Sequence, residues 1–103
     1  MQAVTVWTTA PDVSTAQKIA RGLVEKRLAA CVSVLPGLRS TYRWKKKIEK
    51  AREALLIVKT SKDRWKAVQK FILSVHPYEV PELLVLPVTG GYKKYLNWIS
   101  SPN

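Results

Sequence analysis

Cysteine occurs once in this chain, histidine once, and acidic residues seven times against eighteen lysines and arginines. The single thiol, Cys31, cannot close an intrachain disulfide and leaves the cytoplasm as the expected compartment. It also excludes a zinc-finger-type site, and a lone His76 excludes a two-histidine motif within one chain. Long apolar runs are absent: residues 54–58 and 83–86 are strand-sized, far below the roughly 20 residues of a spanning helix. No basic and apolar leader precedes the strand pattern that begins at Ala3, so no secretory signal is expected. Linkers, repeats and low-complexity segments are missing, and 103 residues predict one domain over 1–103. Nucleophile elbow, phosphate loop, dinucleotide fingerprint and paired-cysteine motifs are all absent, and nothing argues for an enzyme.

What is present is apolar patterning and positive charge. Apolar residues make up 47% of the chain, which excludes wholesale disorder, and the net charge is +11. Such a field favours anionic partners and repels free cations. Residues 3–9 alternate as a strand and end at the turn Ala10-Pro11-Asp12. Ser14 to Gln17 has the form of a capping box, with Asp12 as the alternative cap. Ala16, Ile19, Ala20, Leu23, Val24 and Leu28 then fall on one helical face, with Gly22 as a weak point.

A second strand runs from Cys31, is interrupted at Pro36-Gly37 by a bulge, and resumes with Tyr42 and Trp44 on one face. Lys45, Lys46 and Lys47 form the hairpin tip, and a third strand runs from about Ile48 to Thr60. A second helix from Lys62 or Asp63 ends before Pro77, a fourth strand covers 82–88, and a short helix closes the chain. The order βαββαβ predicts an α+β, ferredoxin-like antiparallel sheet with two helices on one face. The central hairpin is about twice the usual strand length of 5–6 residues, so it overhangs its own sheet. An overhang bearing Tyr42, Trp44 and Ile48 predicts pairing with a neighbouring subunit in a closed assembly.

Few residues could carry chemistry. His76 opens the stiff segment His76-Pro77-Tyr78-Glu79-Val80-Pro81-Glu82, where it serves either as a helix-end cap or as a metal ligand. Cys31 has apolar neighbours, which suits a structural thiol, with a soft-metal role as the other option. Arg39, Arg43, Lys45, Lys46, Lys47, Lys50 and Arg52 interleave with Tyr42 and Trp44, a composition able to bind single-stranded nucleic acid. Recognition of RNA by the sheet is disfavoured, because residues 54–59 of the third strand carry no aromatic.

Taken together, several segments resemble the CutA family of divalent-cation tolerance proteins. They are Thr9-Ala10-Pro11-Asp12, Leu28-Ala29-Ala30-Cys31-Val32, Tyr42-Arg43-Trp44, Leu56-Ile57-Val58-Lys59-Thr60, the His76–Glu82 segment, Leu86-Pro87-Val88 and Tyr95-Leu96-Asn97-Trp98. The resemblance implies a homotrimer similar in architecture to PII signalling proteins, acting in tolerance of copper or another divalent cation, weakly bound. It implies His76, Glu79, Glu82 and Cys31 as metal-binding candidates. It places Tyr42, Trp44, Lys59 and Tyr78 as walls of inter-subunit clefts, with Arg43, Lys45, Lys46 and Lys47 at a basic hairpin tip. Some members of the family carry a cysteine where this chain has Thr8, a second histidine where it has Val75, and a tip glycine where it has Lys46. The alternative expectation is a module that binds a nucleotide or nucleic acid in those clefts or on the basic tips, without a membrane role.

Overall fold

Along β1 (Ala3–Ala10), Val4, Val6, Thr8 and Ala10 face one way and are fully or almost fully buried. That alternation sets one face of the sheet against two helices. The computed structural model describes residues 2–101. After β1 come α1 (Val13–Glu25), β2 (Cys31–Trp44), β3 (Lys47–Ser61), α2 (Trp65–Val75), β4 (Leu84–Pro87) and α3 (Lys93–Ser100). The sheet order is β2-β3-β1-β4 with every neighbouring pair antiparallel, the expected ferredoxin-like arrangement. The core lies between Val6, Leu56 and Val58 of the sheet and Ala16, Ile19, Leu23, Val68 and Ile72 of the helices.

Several local expectations shift. Asp12, not Ser14, caps α1: its carboxylate accepts from the Thr15 backbone N–H at 2.7 Å. That bond holds the Asp12 carboxyl below its ordinary range. α1 ends at Glu25, so Leu28 reaches the core by another route. Arg27 adopts φ 59°, its N–H donates to Val24 O, and the Leu28 N–H donates to Leu23 O. This left-handed closure turns Leu28 back under the helix. Gly22 has a packing role, because a Cβ there would lie 2.5 Å from Phe71 Cζ. A single 3-10 turn, Lys62–Arg64, precedes α2, and β4 is shorter than 82–88 because its register covers Val4–Trp7 of β1, with one further bond from the Val88 N–H to Ala3 O.

Pro36-Gly37 does form a bulge, with Gly37 at φ 80° and the register shifting between Leu35 and Leu38. Beyond it, residues 38–44 and 47–53 pair only with each other, since β1 ends opposite Ala54. The hairpin overhang is therefore real. It closes in a two-residue turn at Lys45 and Lys46, both at positive φ.

The face of the sheet away from the helices is largely open: Leu35, Leu84 and Leu86 are exposed on it and Trp7 and Ile57 half-buried, while Leu55 on the same face is buried.

Candidate functional site

His76 ends α2, and its ring is engaged at both nitrogens. Nδ1 accepts from the Tyr78 backbone N–H at 3.1 Å, and Nε2 lies 2.7 Å from the Thr9 carbonyl. A backbone N–H only donates and a carbonyl only accepts, so the ring is neutral with its proton on Nε2. In this arrangement no lone pair faces outward. The imidazole fastens the start of the 76–82 segment to the end of β1.

That fastening positions Tyr78. Its hydroxyl donates to Glu53 Oε2 at 2.6 Å, and the rings of His76 and Tyr78 lie 4.8 Å apart. Burial pushes the Tyr78 phenol well above its usual range, and the bond to Glu53 and that carboxylate's charge push it the same way. Glu53 is 8% exposed. Together they close one side of a cleft of about 890 Å³ between the hairpin and the 76–82 segment. Its walls include Thr9, Tyr42, Trp44, Tyr78, Glu79 and Glu82. Among the described residues, no lysine or arginine lines it, although the chain has eighteen of them.

The structure thus brings together Tyr42, Trp44, Tyr78, Glu79 and Glu82, and leaves others apart. Lys59 is not in the cleft; it pairs across the sheet with Cys31, donating to Ser33 Oγ at 2.6 Å with its ammonium 3.8 Å from Cys31 Sγ. Among the described residues, no three histidine, cysteine or acidic side chains are grouped to hold a metal ion. Of the four metal-binding candidates, Glu79 and Glu82 line the cleft, while His76 and Cys31 do not.

The bulge also separates what the sequence interleaves. Tyr42 and Trp44 fall on the side of the ribbon that carries Glu53, while Arg39, Arg43, Lys50 and Arg52 fall on the other. Those four charges are thus turned away from the stacking rings, and only at the tip do charge and ring meet, where Lys47 lies opposite Trp44 and Lys45 Nζ stands 5.9 Å from the Trp44 ring centroid. Lys45 and Lys46 project from the turn, and with Arg43 and Lys47 they are exposed.

Glu53 is the residue that sequence reasoning missed. Its signal was a single acid between the basic hairpin and the apolar run of β3, a boundary where only the register reveals which way it faces.

The CutA1 divalent ion tolerance protein family profile matches residues 4–102. A divalent-cation tolerance protein CutA of Pectobacterium atrosepticum is 46% identical over 99 residues, covering 96% of this chain and 90% of the relative. Human protein CutA is 48% identical over 91 residues, and the chain spans about half of that relative's length, 51%. The solved divalent cation tolerance protein of Thermus thermophilus superposes with a TM-score of 0.94 at 40% identity, covering 97% of both chains. Sequence and fold agree over nearly the whole chain, and it belongs to the CutA family of divalent-cation tolerance proteins.

Proposed function

We propose that the chain works as a cytoplasmic homotrimer in divalent-cation tolerance, by weak metal binding or signalling and without catalysis. The observation that carries this reading is the reversal of charge in the cleft. Glu53, Glu79 and Glu82, three of seven acids, line it with no base among the described residues opposing them, in a protein of net charge +11. A cation repelled by the rest of the surface is accepted there. Carboxylate and imidazole are donors suited to copper(II), and carboxylate alone to harder divalent ions. Glu79 and Glu82 need further ligands, which a neighbouring subunit supplies or which His76 supplies on releasing Tyr78. The largely open apolar sheet face and the overhanging hairpin support the assembly.

Native mass spectrometry of the protein titrated with copper(II) tests both halves together. A trimer that takes up copper stepwise to one ion per chain is the expected result. Glu79→Gln with Glu82→Gln should then weaken uptake, and unchanged uptake by His76→Ala would remove the imidazole from the ligand set. A metal-free trimer overturns the binding half, and a monomer overturns the assembly half.

One observation favours a second reading, an anionic ligand on the hairpin. Arg39 lies directly opposite Arg52, next to Lys50, on the face away from Glu53. Like charges opposed in this way are destabilising unless an anion lies between them. Binding of single-stranded nucleic acid should then fall steeply with salt, and replacing Lys45, Lys46 and Lys47 should flatten the slope. A slope that does not change removes the tip from that surface.

A further inference from the structure

Tyr78 satisfies only one oxygen of Glu53, Oε2. The other, Oε1, accepts no hydrogen bond from the described residues, and Glu53 has no salt bridge with a described lysine or arginine. The residue is 8% exposed, and Oε1 keeps contact with solvent, since Thr8 Oγ1 is the one buried side-chain polar atom without a partner among the described residues. A carboxylate fixed through one oxygen, with the other open to the cleft, is a ready acceptor for a cationic N–H donor. The surroundings define which kind of cation fits. Tyr42, Trp44 and Tyr78 contribute aromatic rings to the same cleft, and ring faces attract organic cations. The volume, about 890 Å³, is in the range of pockets that enclose small organic molecules, about 300–1,000 Å³. A metal ion would need a set of donors that is not grouped among the described residues.

We propose that the floor of this cleft binds a small organic cation bearing an ammonium or guanidinium group. Its N–H donates to Glu53 Oε1, and its apolar body lies against Trp44 and Tyr42. The hydroxyls of Ser40 and Thr9, residues that also line the cleft, are acceptors for its remaining N–H groups. Tyr78 holds the carboxylate in place from the far side, as the donor to Oε2. This goes beyond the reading of divalent-cation tolerance. It shares the cleft but depends on Glu53, where the metal depends on the exposed Glu79 and Glu82.

Calorimetric titration of the whole protein with n-butylguanidinium tests it, with n-butylurea as the uncharged analogue of the same shape. Butylguanidinium is expected to bind at one site per chain and butylurea not to bind. Glu53→Gln should weaken binding by about tenfold or more, since a charge-assisted bond is lost. Trp44→Leu, at an exposed position, should weaken it several-fold and keeps the test decisive if Glu53→Gln does not fold. Lys66→Ala on α2 should bind as the parent does. No binding of butylguanidinium, equal binding of butylurea, or undiminished binding by Glu53→Gln each overturns the proposal. Sedimentation closes the remaining route. If the parent protein binds no probe and Glu53→Gln falls apart into monomers, the cation is a neighbour's lysine or arginine and the small-molecule site is wrong. Copper uptake, measured separately, is expected to survive Trp44→Leu, which leaves all three cleft acids in place, so the two readings fail independently.

Discussion

Thr8 lies on the helix-facing side of β1 with no exposure, and its Oγ1 is the one buried side-chain polar atom among the described residues without a partner. Leaving such a hydroxyl unsatisfied costs about 1–3 kcal/mol, while an apolar group of the same shape avoids that penalty. Thr8→Val should therefore stabilise the protein by about 1 kcal/mol, seen as a higher urea midpoint at unchanged slope. Tyr78 makes the opposite kind of statement. Its phenol is raised above the ordinary value near 10 by burial first, and then by Glu53. A group raised on folding gives stability that is complete below the unfolded value and is lost as pH climbs past it. Stability should thus hold to about pH 10 and decline above it, and Tyr78→Phe should remove that part of the decline. Tyrosinate absorbance offers the direct check. Tyr78 should ionise later than exposed Tyr92, and simultaneous ionisation of all four tyrosines would contradict the buried bond to Glu53.

The hairpin turn is an element with a built-in cost. Lys45 and Lys46 occupy φ of 50° and 70°, where a side chain crowds the following carbonyl by roughly 1–2 kcal/mol per residue. Lys46→Gly should raise stability by about 1 kcal/mol in thermal or urea unfolding. A destabilised variant would mean that the turn has a different conformation. How far such elements can be read in advance depends on what each pattern reports. Alternation over residues 3–9 and spacing of three and four over 16–23 suffice for β1 and α1, because each period marks the face turned to the core. The same patterns are silent about partners. Glu82, Leu83 and Val88 look like strand, yet β4 is limited to the residues opposite Val4–Trp7. Leu28 continues the helical spacing, yet it reaches the core through the left-handed turn at Arg27. In the site, the 76–82 segment is legible as a stiff polar wall, whereas the bond from His76 to Thr9 spans 67 positions and leaves no local trace. Glu53 escapes for a related reason: only the extra residue at the Pro36-Gly37 bulge turns Tyr42 and Trp44 to its side.

At the scale of the whole molecule, the two faces of the sheet have opposite fates. Val6, Leu56 and Val58 are sealed under the helices. On the reverse face, Leu35 is 56% exposed and Leu84 55% exposed, beside Trp7 and Ile57. An apolar sheet face left open, continuous with an overhanging hairpin that has free edges, is a surface for a second copy of the chain. Closed rotational symmetry satisfies it without growth into fibres, and a trimer is the form proposed above. Leu35→Glu tests this with little cost to the subunit itself, because the side chain is largely outside its core. The variant should sediment as a monomer that retains the parent's circular dichroism, and its melting temperature should become independent of concentration. The parent's should rise with concentration, since association stabilises only the folded chain. If Leu35→Glu sediments with the parent, the open face is not the contact, and assembly must run through the hairpin alone. Pairing there would bring Tyr42 and Trp44 of each cleft against a neighbour, and Trp44→Leu rather than Leu35→Glu would then release the monomer.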